Sequence, residues 1–276
     1  MATAPIIKWA GGKRQLLTHL LAAAPPHWQR YYEPFAGGAA LFFALSRPGA
    51  YLGDANAEVI HLYRTLVDDT ESLITALAGY ANTPETYLSV RATDPTTLDP
   101  VHRAARFLYL NKTCFNGLYR ENRRGQFNVP FGHYTHPNIV NAEGLRAARS
   151  LLQTATLAHA SYTALDGLVQ PDDWVYCDPP YVPVSHTARF TAYTAGGFSW
   201  IDQEELAATL RRWADHGVHV MTTNAEVPTL LALYPGFWCQ RVPARRAINR
   251  DGSGRTGAHE VILTSYPVPG ATRLDC

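Results

Sequence analysis

The chain has 276 residues, 46% of them apolar and 17% charged, with a formal net charge of +1. That mixture suffices for one large domain, or a domain carrying a substantial insertion, around a sizeable core. No stretch approaches the roughly 18 uncharged apolar residues that span a bilayer, and the first residues lack the basic and apolar regions of a signal peptide, so a cytoplasmic protein is expected.

In chain order, Leu16, Leu17, Leu20 and Leu21 fall at helical spacing within Arg14–Ala24, and Pro25-Pro26 stops the run. Tyr31-Tyr32-Glu33-Pro34-Phe35 is a short apolar run that opens into Gly37-Gly38, and a small-residue helix from Ala39 to Leu45 follows. Ala50-Tyr51-Leu52-Gly53 ends on Asp54, and a helical pattern restarts near Asn56. Strand, glycine turn, helix, strand, acidic residue, helix is the opening of a doubly wound α/β sheet. Residues 70–112 read as helices broken around Pro84 and Pro95, whereas 113–140 interleave Asn, Gly, Arg and aromatics, as a loop-rich segment or a hairpin does. The α/β pattern then resumes. Trp174-Val175-Tyr176-Cys177 reads as a buried strand running into Asp178, Ile201–His216 as a helix with Ser199 at its N-cap, and Val218–Thr223 and Glu260–Ser265 as further strands. The predicted organisation is one α/β domain, residues 1–60 and 141–276, interrupted by an insertion at 61–140.

Cys114, Cys177, Cys239 and Cys276 are scattered and form no Cys-x-x-Cys pair, so neither a disulfide framework nor a metal is expected. Positive charge is unevenly placed. Between His102 and Arg124 stand Arg103, Arg106, Lys112, Arg120, Arg123 and Arg124 against Glu121. Between Arg241 and Arg255 stand Arg241, Arg245, Arg246, Arg250 and Arg255 against Asp251. Local patches matter more for phosphate binding than the total does, although solvated surface arginines give the same pattern.

Asp178-Pro179-Pro180-Tyr181 follows a buried strand, and open α/β sheets bind ligands beyond the carboxyl ends of their strands. An aromatic amine is a poor nucleophile because its lone pair is delocalised. Two acceptors aimed at its N–H groups pull it towards a pyramidal geometry and stabilise the positive charge that develops. A carboxylate and a backbone carbonyl can do this, prolines keep the preceding carbonyls out of helical pairing, and a tyrosine offers a π-face to an extruded base. Taken alone, the tetrapeptide fits a stiff Pro-Pro turn equally well. The Gly37-Gly38 turn lets backbone approach a cofactor, and Asp54 can take ribose hydroxyls. Gly11-Gly12-Lys13-Arg14 lacks the upstream glycine and the following Ser/Thr of a phosphate loop, and no Gly-x-Gly-x-x-Gly supports a nicotinamide site.

Seven segments occur in one order: Lys8-Trp9-Ala10-Gly11-Gly12-Lys13, Glu33-Pro34-Phe35-Ala36-Gly37-Gly38, Leu108-Tyr109-Leu110-Asn111, Asn116-Gly117-Leu118-Tyr119-Arg120, Gly125 through Gly132, Tyr176 through Tyr181, and Phe190-Thr191-Ala192-Tyr193. In these the chain resembles, over almost its whole length, the Dam-type (alpha-group, D12 class) site-specific DNA adenine-N6 methyltransferases. The resemblance implies a Rossmann-like sheet for S-adenosylmethionine with an inserted helical and loop target-recognition domain. It implies in-line methyl transfer to N6 of a flipped adenine in double-stranded DNA, giving S-adenosylhomocysteine, without metal, membrane or obligate protein partner.

By the same resemblance Asp178, Pro179, Pro180 and Tyr181 are catalytic. Trp9, Lys13, Phe35, Gly37, Asp54 and Asp178 contact the methyl donor, and Ser161 and Tyr162 lie near its adenine. Arg120 reads a guanine edge, Lys8, Leu118 and Pro130 meet bases, Phe115 wedges into the duplex beside Asn116, and Asn122 and Tyr134 hold phosphates. The implied site is GATC. The family pattern Phe-x-Gly-x-Gly is kept except at its last position, where Ala39 stands, and Phe115 replaces the usual Tyr. Phe190–Tyr193, in a long polar loop, reads as a lid over the flipped base, and Asn249–Gly257 as a segment that orders on DNA. Cytosine-N4 methylation and DNA binding without catalysis are the alternatives, and the setting, whether restriction-modification, repair, regulation or phage, stays open.

Overall fold

The computed structural model describes residues 3–9, 11–182, 198–243 and 259–275. The expected lid at Phe190–Tyr193 and the segment Asn249–Gly257 lie outside these residues. In chain order the elements begin with α1 (Leu17–Ala22), β1 (Tyr31–Glu33), α2 (Ala40–Leu45), β2 (Tyr51–Asp54), α3 (Ala57–Asp68), α4 (Thr70–Ala78), α5 (Pro84–Ala92), α6 (Pro100–Thr113) and α7 (Ala142–Leu152). They continue with β3 (Thr156–His159), β4 (Trp174–Cys177), α8 (Trp200–Asp215), β5 (His219–Ala225), α9 (Pro228–Leu231), β6 (Trp238–Pro243), β7 (His259–Thr264) and β8 (Thr272–Arg273). The chain forms two compact units, Met1–Gln15 with Ala36–Tyr162, and Leu16–Phe35 with Thr163–Cys276.

In the first unit β2 and β3 pair in parallel, with Asp54 opposite His159 at their carboxyl ends. Helices α3, α4 and α6 bury Ile60, Tyr63, Leu66, Leu73, Leu77 and Tyr109 completely or nearly so. Each such side chain contributes about 1.5–3 kcal/mol by leaving water. Pro84 and Pro95, where breaks are expected, prove to be starting points. Pro84 opens α5 under a Thr83 cap, and Pro95 opens a 3-10 turn under an Asp94 cap. A proline at the first helical position loses nothing, because its missing N–H has no partner there anyway.

In the second unit β1, β4 and β5 run parallel, and β5, β7, β6 and β8 continue as antiparallel neighbours. All four residues of β4 are at most 1% exposed, as a parallel strand covered on both faces requires. Helix α8 starts where Ser199 predicts, with a capping box: Ser199 N–H donates to Asp202 Oδ2 at 2.6 Å, and Asp202 N–H donates to Ser199 Oγ at 3.2 Å. The helix expected over Arg14–Ala24 is shorter, a 3-10 turn at Lys13–Gln15 and then Leu17–Ala22. Of its four leucines only Leu16 and Leu20 are buried, and Leu21 is 41% exposed. These parallel strands with helical connections are the expected Rossmann-like α/β arrangement. Among the described residues no helix is long and apolar enough to cross a membrane, and no cluster of His, Cys, Asp or Glu could hold a metal.

Candidate active site

In the second unit the buried strand β4 delivers the tetrad. Asp178 is half-buried, and its Oδ1 accepts from Thr223 Oγ1 at 2.8 Å. Tyr176 OH lies 3.4 Å from the same Thr223 hydroxyl. Pro179 is buried and Pro180 exposed. The Pro180 carbonyl accepts from Gln203 Nε2 at 2.8 Å, and Val182 N–H donates to Asn224 Oδ1 at 3.1 Å. Tyr181 OH donates to Glu260 Oε2 at 2.8 Å. Burial, with Asp178 and Glu260 nearby, pushes the Tyr181 phenol far up, so it stays a neutral donor whose ring is pinned at the hydroxyl end. Phe35, also in this unit, meets Phe198 edge-on with ring centroids 5.8 Å apart.

The first unit holds the other expected donor-site residues. Asp54 ends β2, where its Oδ2 accepts from Gly37 N–H and its Oδ1 from Asn56 N–H, each at 2.7 Å. Burial raises the Asp54 carboxyl above the ordinary range, against the pull of those two amides. Gly37 has φ +45°, and a Cβ there would lie 2.4 Å from Trp9 Cδ1, so only glycine fits beneath the indole. Tyr63 OH donates to the Gly37 carbonyl at 2.7 Å, which fixes the turn. Trp9 stacks on Tyr119 at 5.7 Å and 25°. Lys13 is buried and donates to the Gly11 carbonyl. Ser161, exposed, and Tyr162, buried, follow the end of β3, next to Ala160, whose N–H donates to the Asp54 carbonyl at 3.1 Å.

These residues fit an adenosine-bearing donor. A carboxylate offers about four acceptor positions, and the two backbone amides use one on each Asp54 oxygen, which keeps a pair for a ribose diol. A buried tyrosine and an exposed serine beyond the neighbouring strand suit an aromatic base with a polar edge.

The expected recognition residues, also in the first unit, form two clusters. Lys8, Phe115, Asn116, Pro130 and Tyr134 make the first. Lys8 Nζ sits 4.4 Å from the Tyr134 ring centroid, Asn116 N–H donates to Tyr134 OH at 3.0 Å, and Phe115 N–H donates to the Pro130 carbonyl at 2.9 Å. Buried Asn111 grips the Lys8 backbone twice, accepting from its N–H at 2.9 Å and donating to its carbonyl at 2.7 Å. Gly117, at φ +63°, packs so closely that a Cβ would lie 2.5 Å from Lys8 Cβ. Phe115 projects, 49% exposed.

The second cluster is a short hairpin closed by one bridge, Glu121 opposite Phe127, within a segment 113–140 that is otherwise loop-rich. Asn128 N–H donates to the Arg120 carbonyl at 3.0 Å, and Asn122 N–H to the Gln126 carbonyl at 2.9 Å. The Arg120 guanidinium is held through Nε to Asn128 Oδ1 at 2.6 Å and Nη2 to the Asn128 carbonyl at 3.3 Å. The Asn122 amide works within the turn, where its Oδ1 accepts from Arg124 and Gln126 N–H groups and its Nδ2 donates to Gln126 Oε1 at 3.0 Å. Leu118 is half-buried at the hairpin's base.

Sequence reasoning missed Gln203, Thr223, Asn224 and Glu260 behind the tetrad, and it gave no role to Asn111 and Asn128, which stand in two of the seven segments. One signal was available: Thr222-Thr223-Asn224 is a polar run at the carboxyl end of an otherwise apolar strand, and all three residues are at most 2% exposed.

The family model of the D12 class N6 adenine-specific DNA methyltransferases matches residues 9–248. The chain is 38% identical over 270 residues to the type II methyltransferase M1.LlaDCHI of Lactococcus lactis subsp. cremoris, covering 95% of each. It is 34% identical over 289 residues to the type II methyltransferase M.MjaIII of Methanocaldococcus jannaschii, covering 96% of this chain and 100% of that one. It is 35% identical over 266 residues to the DNA adenine methylase of Vibrio cholerae, again with 95% of each covered. The chain therefore belongs to the D12 class of N6 adenine-specific DNA methyltransferases.

Proposed function

We propose that the chain uses S-adenosylmethionine to methylate N6 of a flipped adenine within GATC in duplex DNA. The observation that carries this reading is the division of labour around the tetrad. Gln203 occupies the Pro180 carbonyl and Thr223 takes one lone pair of Asp178. Asp178 and the Pro179 carbonyl are then the two acceptors for the adenine amine. By accepting its two N–H groups they localise the nitrogen lone pair and stabilise positive charge as it builds on N6. Tyr181, held by Glu260, stacks on the base. When bound, the donor would supply an electrophilic methyl on a sulfonium centre, the S–C bond breaking as the N6–C bond forms to leave S-adenosylhomocysteine, and Asp178 would pass the one proton that N6 loses to solvent. Asp54 binds its ribose, Gly37 and Trp9 keep the turn beneath it, Ser161 and Tyr162 flank its adenine, and Lys13, Phe35 and Asp178 are further donor contacts.

Residues 61–140 act as the target-recognition insertion on residues 1–60 and 141–276. Arg120 has five N–H groups, and the Asn128 clamp uses two, so an edge is left for guanine O6 and N7. Lys8, Leu118 and Pro130 meet bases, Phe115 fills the space the adenine leaves, and Asn116, Asn122 and Tyr134 lie along the phosphates. A cytoplasmic location follows from the DNA substrate, and the type II name of the Lactococcus relative supports a restriction-modification setting.

The test is incubation with tritiated S-adenosylmethionine and a duplex carrying one GATC, followed by nucleoside analysis. Label in N6-methyladenine is the expected result. Label in N4-methylcytosine would move the activity to cytosine, and DNA binding without label would refute catalysis. Equal labelling of a duplex with the site scrambled would refute GATC alone.

A further inference from the structure

We propose that Gln203 and Asn224 are positioning residues that select which tetrad carbonyl is offered to the target amine. The proposal rests on the adenine-N6 reading above and assigns a part in it to two side chains that touch no substrate.

The polarity of the pair is fixed from one end. Asn224 Oδ1 receives Val182 N–H at 3.1 Å and Ala225 N–H at 2.9 Å. Backbone N–H groups can only donate, so this atom is the amide oxygen and its partner is Nδ2. Asn224 Nδ2 faces Gln203 Oε1 at 3.2 Å. Gln203 must therefore present Nε2 to the Pro180 carbonyl, which it does at 2.8 Å. A chain of donors and acceptors thus runs from one side of Tyr181 to the other, gripping the carbonyl before it and the N–H after it.

The turn needs such a grip because two consecutive prolines remove two of its own N–H donors. Gln203 and Asn224 are 1% and 2% exposed. Buried amides cost free energy unless fully hydrogen-bonded, so apolar residues would serve packing here more cheaply. The amides do what apolar residues cannot. They hold the Pro180 carbonyl turned towards the buried Gln203 amide, leave that of Pro179, and hold the peptide planes that aim both it and the Tyr181 ring.

Gln203→Glu tests this on a folded protein. An ionised Glu cannot donate to the Pro180 carbonyl, whereas a protonated one can, and a buried carboxyl facing a carbonyl titrates above its ordinary range. In single-turnover assays with tritiated S-adenosylmethionine and a GATC duplex, the variant should lose about a hundred-fold in rate at alkaline pH, as for a displaced reactive group. It should recover as pH falls, with DNA and donor affinities unchanged throughout. Asp178, Tyr181 and Glu260 are present in both proteins, so the wild-type pH profile controls for them. Asn224→Asp, which sets an acceptor against Gln203 Oε1, should lose a similar factor, and the double variant little more, because the pair acts as one unit.

Wild-type rates in both variants would overturn the clamp while leaving the enzyme reading intact. So would a loss at all pH values accompanied by weakened DNA binding, which would mark a purely structural pair. A wild-type protein that labels no adenine would refute the underlying reading itself.

Discussion

The tetrad turn and the hairpin of residues 118–128 are held in different ways. Residues 178–182 are fixed by side chains from α8, β5 and β7, most of them fully buried, so their groups are aimed before any ligand arrives. Residues 118–128 are shaped by their own turn, through Asn122 and Asn128, and anchored by Tyr119 on Trp9 and Phe107, and their charged side chains are exposed. Under the proposed function, the difference matches the two tasks. Stabilising charge that develops during a reaction demands groups that need no reorganisation, which a buried scaffold supplies. Reading a polyanion demands long cations that stay hydrated until contact, so an exposed hairpin suffices.

The largest expected effect breaks the first region. Asp178→Ala should lower single-turnover methyl transfer by at least about a thousand-fold, the upper range for removing one preorganised group, with duplex affinity retained. Retention of normal turnover would remove Asp178 from the chemistry. In the second region Arg120→Ala should cost about 1–3 kcal/mol of discrimination at one guanine while other positions keep theirs. A uniform loss on all sequences, with a shallower salt dependence, would make Arg120 a phosphate contact.

A third change sharpens the contrast through stability. Lys112, on α6, is lowered from 10.5 to about 8 by burial, with Lys8 and Arg14 adding repulsion. Below about pH 8 it is protonated in the folded and unfolded chain alike, and the fold carries the full penalty. As pH rises from about 8 to 10.5 the folded chain releases a proton that the unfolded chain keeps, so this group's penalty fades. Lys112→Met should therefore raise Tm at neutral pH and lose that advantage towards the alkaline end. A fall in Tm at neutral pH would mean that the ammonium is compensated in the fold.

How far each region was legible follows from the same contrast. The tetrad, the Gly37 turn and Asp54 are written in local residue order, and β1, β2, β4, β5 and β7 lie where apolar runs predict them. β3 was not legible, since Thr156–His159 is half-exposed and shows no alternation. The support behind the tetrad was not legible either, because Gln203 and Glu260 lie 23 and 79 residues from their partners, and no local pattern announces a polar group whose partner is that distant. The hairpin could be named only as one of two options, because its backbone pairing covers few residues and only its second arm, with Phe127 and Val129 buried, alternates.

The smallest effect concerns the one position where the donor turn departs from its family pattern. Ala39, capping α2, has φ 49° and ψ 43°, the left-handed region where an L side chain costs about 1–2 kcal/mol and glycine costs none. Ala39→Gly relieves that strain but frees the unfolded chain by about 0.4–1 kcal/mol, and it gives up a buried methyl, the residue being 1% exposed. The terms nearly cancel, so urea unfolding should register a gain below about 1 kcal/mol. Donor affinity should hold, because Asp54 is bound to Gly37 and not to residue 39. A clear loss of stability would mean that the Ala39 methyl fills space the α2 core needs.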